Sequence, residues 1–189
     1  MMLKNLEKLL ESEKKDKRIF DIVIYGSAVK GKEQPNDVDI LIIFTEGTLR
    51  DRLNKAQQIK SKVKSSFKDV ELDVKQILLV ELFSPEFFAR TGIFLGGISV
   101  FKSRRFSETL GFRPFALFTY SLEKLSHTEK IKFNYVLSGR NAKGIIEQFG
   151  GKRIASGAVK MPLENALAFE DVLKEHKVEY ERVSVLQEV

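Results

Sequence analysis

The stretch Ile22–Phe44, IVIYGSAVKGKEQPNDVDILIIF, decides the fold of this chain. Its first four residues form an apolar run that predicts a short strand, and Gly26 ends that strand. Ser27 is a suitable N-cap for a short helix through about Lys32. A second strand follows, and it opens on the two aspartates Asp37 and Asp39.

The turn after the first strand has the features of a phosphate-binding site. Gly26 lets a phosphate approach the backbone closely, and the free N–H groups at a helix start favour an anion. The Ser27 hydroxyl adds a donor, and Lys30 and Lys32 follow as cations for a triphosphate. Glycine-serine turns are common, and the two lysines are equally well explained as solvated surface.

The two aspartates predict a site for a divalent cation. Side chains alternate along a strand, so Asp37 and Asp39 share a face about 6.6 Å apart along the chain. Two such carboxylates about 4 Å apart repel each other by about 4 kcal/mol at an effective dielectric constant of about 20. Mg²⁺ relieves that repulsion and prefers carboxylate oxygens combined with phosphates and water. The alternative is a carboxylate pair at the solvated start of a strand.

A third carboxylate is expected on a neighbouring strand over residues 70–83, VELDVKQILLVELF. Apolar and charged residues alternate at its start, so Glu71 and Asp73 share a polar face. The alternative is an exposed strand face that carries ordinary surface charges.

Gly26-Ser27, nine further residues and then Asp37-Val38-Asp39-Ile40 resemble the signature of the DNA polymerase β-like nucleotidyltransferase superfamily. The resemblance implies an α+β fold whose core is a mixed sheet with flanking helices, ordered helix, strand, short helix, strand, long helix, strand. In this superfamily the third acid lies between apolar neighbours on a strand. Asp73 fits that position best, and Glu71 is the alternative.

The resemblance also implies a reaction and a role for each residue. The enzyme would bind a nucleoside triphosphate with Mg²⁺ or Mn²⁺, transfer the nucleotidyl group to a hydroxyl and release pyrophosphate. Gly26 and Ser27 would hold the β and γ phosphates. Asp37 and Asp39 would bridge the two metal ions, and Asp73 would complete the catalytic metal site and activate the acceptor.

Composition limits the remaining possibilities. The chain has 189 residues, enough for one domain or two small ones. It has no cysteine, which excludes disulfides and thiolate zinc sites. Its two histidines lie far apart in sequence, which argues against a histidine-based metal site. No apolar run is long enough to cross a bilayer, and the N-terminus lacks the apolar region of a secretory signal. We therefore expect a soluble, cytoplasmic protein without a membrane contact.

A second module is expected after the nucleotidyltransferase-like domain, which we place at residues 1–105. Residues 106–189 predict a small α+β module. The sequence Ser126-His127-Thr128-Glu129 fits a capping box ahead of a helix. A short helix over 142–149, a hairpin over 152–161, a helix after Pro162 and a strand over 178–186 complete it.

The segment from 101 to 160 is basic, with 12 Lys or Arg against 4 Glu. Basic groups pair with phosphates and exposed aromatic rings stack on bases, so a nucleic-acid surface is one interpretation. The candidate residues lie in FKSRRFSETLGFRPF and are Lys102, Arg104, Arg105 and Arg113. The alternative is that the rings form the core and the charges are ordinary surface.

Three functions remain open from the sequence. The first is a nucleotidyltransferase that acts on RNA or another nucleic acid. The second is an antitoxin-type transferase that modifies a partner protein or a small molecule. The third is an inactive relative that binds nucleic acid, and the presence of all three expected carboxylates argues against it.

Overall fold

The computed structural model describes residues 2–29, 37–67 and 71–189. Lys30 and Lys32, which the sequence analysis places near the phosphates, lie outside these residues. The chain divides into two compact units, Met1–Gly111 and Phe112–Val189. The boundary expected after residue 105 differs from this division by the segment 106–111, in which Phe106 is fully buried in the core of the first unit. Within the described ranges, no helix has the length and apolar character to cross a membrane.

The first unit is built on a five-stranded mixed sheet. Its elements are α1 (Met2–Leu9), β1 (Ile19–Tyr25), β2 (Asp37–Phe44), α2 (Leu49–Ser66), β3 (Glu71–Leu78), α3 (Arg90–Gly96), β4 (Ile98–Ser99), β5 (Arg104–Arg105) and α4 (Phe106–Thr109). The strand order is β3-β2-β1-β4-β5. β2 and β3 are parallel, and the other neighbours are antiparallel. This mixed sheet with flanking helices confirms the α+β fold class.

Strand β2 is buried on both faces beyond its first residues. Val38, Ile40, Ile42 and Phe44 face a cluster that includes side chains of α1 and α2. Leu41 and Ile43 face a second cluster that includes Val23 of β1, Leu82, Ile93 and Phe106. From the sequence, only the face that alternates with the aspartates is predicted to lie in the core. The polar residues of β2 are thus confined to its N-terminal end.

Three element boundaries in the first unit differ from the sequence expectation. The third strand ends at Leu78 rather than continuing to residue 83, because Glu81 accepts the backbone N–H of Leu78 and pairs with the buried Arg52 at 3.2 Å. Residues 79–83 then form a 3₁₀ turn. Ser84-Pro85-Glu86 is typical of a helix start in the sequence, but the helix begins at Arg90. The turn after Tyr25 is a 3₁₀ helix over Gly26–Val29.

The second unit is a four-stranded antiparallel sheet with helices. Its elements are β6 (Phe112–Ser121), α5 (His127–Ser138), α6 (Ile145–Gln148), β7 (Lys152–Ala155), β8 (Ala158–Pro162), α7 (Ala166–Glu175) and β9 (Glu179–Glu188). The order β7-β8-β6-β9 gives the β-α-β-β-α-β arrangement of ferredoxin-like folds. The capping box is present, since Ser126 and Glu129 satisfy each other's backbone N–H groups.

The central strand of this unit, β6, is the element that sequence reasoning missed. It contains Pro114, and a proline inside an apolar run argues against a strand because it cannot donate to a sheet ladder. Phe115 and Leu117 on one face alternate with the buried Ala116 and Phe118 on the other, so no polar residue marks the period in the middle of the strand. The run therefore lacks the alternation that identified β2 and β3.

A single carboxylate links α7 to β9 in the second unit. Glu170 accepts hydrogen bonds from the Tyr180 hydroxyl at 2.7 Å and from Arg182 Nη1 at 2.9 Å, and it pairs with Lys174 at 3.0 Å. Only 17% of the Glu170 side chain is exposed. These donors, Tyr180 first, lower the pKa of Glu170 from 4.5 to about 2.

We predict that Glu170→Gln lowers the free energy of unfolding by about 1.5–3 kcal/mol at pH 7, the range for hydrogen bonds to a charged group. Because the folded pKa is depressed, the ionised carboxylate stabilises the fold above about pH 4.5. That stability is lost as the pH falls toward about 2. Urea unfolding followed by circular dichroism at pH 7 and pH 3 measures the difference, which should shrink at the lower pH. Glu175→Gln, at the exposed end of α7, is the control, and equal losses in both variants would contradict the prediction.

Candidate active site

The parallel pairing of β2 and β3 brings acids from both strands to one end of the sheet. Asp37 lies opposite Glu71, and Asp39 lies opposite Asp73. Residues level with each other on neighbouring strands point to the same face, with the strands about 4.8 Å apart. All four acids therefore line one face, the face that further along carries Leu41, Ile43 and Ile77.

Asp39 lies at the centre of this group. Burial raises the pKa of Asp39, the charges of Asp37 and Asp73 raise it further, and the Lys75 ammonium opposes them. Two other carboxylates are thus close enough to disfavour its ionised form. A cation bound between the carboxylates would relieve this mutual repulsion.

The Gly26-Ser27 turn contacts the aspartates of β2 directly. Gly26 has a φ of +77°, and a Cβ built on it would lie 2.1 Å from Asp39 Oδ2, so a side chain there is excluded. Ser27 Oγ donates a hydrogen bond to Asp37 Oδ1 at 2.6 Å. Ser27 was predicted from the sequence to donate to a phosphate, whereas in the structure its hydroxyl donates to Asp37.

Two further residues of this end of the sheet were missed by sequence reasoning. Lys75 Nζ lies 2.9 Å from Asp73 Oδ2. Tyr25, the last residue of β1, lies opposite Asp39, and its hydroxyl is buried close to Lys75, with no hydrogen bond of good geometry in the described part of the chain. Lys75 could have been noticed because it follows Asp73 on the same strand face. The position of Tyr25 depends on the β1–β2 register, which the sequence does not reveal.

The residues fit a divalent cation by donor chemistry. Asp37, Asp39 and Asp73 supply carboxylate oxygens, the ligands that Mg²⁺ and Mn²⁺ prefer. Gly26 leaves the space beside Asp39 Oδ2 free of a side chain. As the side chains stand, no three acids of residues 2–29, 37–67 and 71–189 enclose a metal-sized position. Asp37 and Asp73 are instead engaged with Ser27 and Lys75.

The four cations of the expected nucleic-acid surface are divided between the two units. Lys102 and Arg104 are exposed in the first unit, where Arg105 Nη1 also donates to the Leu95 carbonyl at 3.3 Å. Arg113 is exposed on β6 of the second unit. Several aromatic rings of the same basic segment are unavailable for stacking because they are fully buried: Phe106, Phe118 and Phe133.

Two solved structures are similar to part of this chain. One is a crystal structure of a toxin-antitoxin with AMP-PNP, 20% identical over 53% of this chain and 73% of that chain, with a TM-score of 0.36. The other is a mutant of the toxin-antitoxin MntA-HpeT, 17% identical over 52% of this chain and 71% of that chain, with a TM-score of 0.36. Likeness at this level says nothing about substrate or partner. No curated protein matches the chain in sequence.

Residues 5–84 match the sequence model of the family described as Polymerase beta, Nucleotidyltransferase. The matched segment runs from α1 through β3 and includes the glycine-serine turn and the acids of both strands. The resemblance seen in the sequence is thereby confirmed for residues 5–84, the segment that is similar to the polymerase β nucleotidyltransferase family.

Proposed function

We propose that the first unit transfers a nucleoside monophosphate from an NTP to a hydroxyl acceptor and releases pyrophosphate. The family domain supplies the reaction class. The observation that carries the proposal is the crowding of Asp39 by Asp37, Asp73 and the bare backbone of Gly26. This arrangement has a high electrostatic cost unless a cation is bound.

In this proposal Asp37, Asp39 and Asp73 hold Mg²⁺ or Mn²⁺. When bound, two such ions stabilise the attacking and leaving oxygens of a phosphoryl displacement. Asp73 also accepts the proton of the acceptor hydroxyl. Its Oδ2 is the oxygen that Lys75 contacts without metal, and Oδ1 is left for that proton once a cation takes Oδ2.

The Gly26-Ser27 turn is the proposed site of the β and γ phosphates. It begins where β1 ends, at the level of Asp39, so phosphates bound there lie beside the acids. The Ser27 hydroxyl, now donating to Asp37, can turn to a phosphate oxygen because hydroxyl donors rotate freely. Lys30 and Lys32, outside the described residues, would neutralise further phosphate charge.

We propose RNA or another nucleic acid as the acceptor. The support is the excess of cations in residues 101–160 and the exposure of Lys102, Arg104 and Arg113. Arg105 completes the proposed set of phosphate contacts.

A partner protein is the second candidate acceptor, as in antitoxin-type transferases. One observation favours it: three large apolar side chains of the segment after β3 are exposed. Val80 is 75% exposed, Phe83 59% and Phe88 94%. Exposed apolar residues so close in sequence are more typical of a protein contact than of a nucleic-acid one.

We predict that Asp39→Asn abolishes nucleotidyl transfer while the fold survives. The variant removes a charge needed to hold the metal, so the rate should fall by about a thousandfold or more, about 4 kcal/mol in activation free energy. The measurement uses each labelled NTP with Mg²⁺, with total RNA and with cell-extract protein as acceptors. Label on RNA supports the first acceptor, and label on protein supports the second. Asp171→Asn, on the exposed side of α7, is the control. Undiminished transfer by Asp39→Asn would refute the site.

We also predict that Gly26→Ala loses nucleotidyl transfer. The new methyl group would strike the Asp39 carboxylate, and a φ of +77° strains any residue with a Cβ. That strain lowers the free energy of unfolding by about 1–3 kcal/mol. Gly92→Ala is the matched control because its added Cβ meets nothing within 4 Å. Thermal unfolding and labelled-NTP assays compare the two variants, and wild-type activity in Gly26→Ala would show that the close approach is unimportant.

A further inference from the structure

One carboxylate of the proposed metal site already has a cation from its own chain. Lys75 Nζ lies 2.9 Å from Asp73 Oδ2, two residues away on the same face of β3. Both side chains are about half exposed, 54% for Lys75 and 51% for Asp73. Ion pairs with that exposure are weak, so a solute cation can displace the lysine.

A second hydrogen-bonding group lies beside this ion pair. Tyr25 is only 7% exposed, and within the described ranges its hydroxyl makes no hydrogen bond of good geometry. Burial raises the pKa of Tyr25, the Lys75 ammonium opposes that effect by its charge and as a hydrogen-bond donor, and the charges of Asp39 and Asp73 add to it. The ammonium is therefore close to the Tyr25 hydroxyl, while its short contact is with Asp73.

We propose that Lys75 is a counter-ion of the metal site with two positions. It pairs with Asp73 in the metal-free protein, close to the Tyr25 hydroxyl, and it turns fully to that hydroxyl oxygen when a divalent cation takes Asp73. The identity of the site rests on the proposed function, but the two positions of Lys75 rest on the geometry of Asp73 and Tyr25.

Charge balance explains why such a lysine is useful. Without metal, three carboxylates share one end of the sheet, and the ammonium offsets part of their repulsion. A divalent cation and the ammonium then compete for the same carboxylate oxygen. Once displaced, the ammonium lies close to the bound cation unless another group holds it. The lone pairs of the Tyr25 hydroxyl provide that acceptor.

Direct binding of Mn²⁺ without nucleotide tests the first position of Lys75, its pairing with Asp73. We expect Lys75→Met to bind Mn²⁺ about twofold to fivefold tighter than the wild type, the range for loss of one competing exposed ion pair. Lys75→Arg keeps the charge and should bind like the wild type. Electron paramagnetic resonance of free Mn²⁺ gives the affinity, and thermal unfolding shows that each variant folds. Unchanged or weaker Mn²⁺ binding by Lys75→Met would overturn the proposed role of Lys75 as a counter-ion.

A double-mutant cycle tests the second position. Tyr25→Phe keeps the ring in the core and removes the acceptor, so it should weaken Mn²⁺ binding when Lys75 is present. The same change should have no effect in the Lys75→Met background. An equal effect in both backgrounds would overturn the role of Tyr25.

The same measurements separate this inference from the proposed function. If the wild type binds Mn²⁺ and Asp39→Asn does not, the proposed metal site is supported. The Lys75 variants then test only the role of Lys75 as a counter-ion. If the wild type binds no Mn²⁺, the proposed function and the counter-ion both fail.

Discussion

The parallel pairing of β2 with β3 is the constraint on which the proposed site depends. It sets Asp39 level with Asp73 and confines their charges to one end of the sheet. A shift of one residue would turn Asp37 and Asp39 toward the apolar cluster that Val38 and Ile40 face, so the register is strongly specified. The apolar part of the strand therefore holds the acids together against their own repulsion.

The Gly26-Ser27 turn and the β3 lysine act on the same charges from two sides. Gly26 brings backbone against the Asp39 carboxylate where any side chain would collide, and Ser27 holds Asp37 by a hydrogen bond. Lys75 offsets part of the negative charge at Asp73. The turn after β1 contacts the acids of β2, and β3 adds Asp73 with its lysine, so the proposed site is a property of the assembled sheet rather than of one motif.

Sequence reasoning could predict the features that a short-range pattern of residues specifies. The alternation along β2 and β3, the glycine-serine turn and the capping box at Ser126 were all visible as spacing. Features that depend on distant residues were not. Glu81 ends β3 through Arg52, which is 29 residues away, and the pairing of Tyr25 with Asp39 exists only once the sheet has formed. Strand β6 was hidden because Pro114 breaks the expected pattern, although the strand lies at the centre of its sheet.

The central claim is that acids of β2 and β3 hold one divalent-cation site beside the glycine-serine turn. Paramagnetic broadening of backbone amide signals by substoichiometric Mn²⁺ tests it most directly, in the wild type and without nucleotide. The account predicts that the amides of residues 26, 27, 37, 39 and 73 broaden first and together. Broadening that begins elsewhere, or that affects β2 without β3, would contradict it.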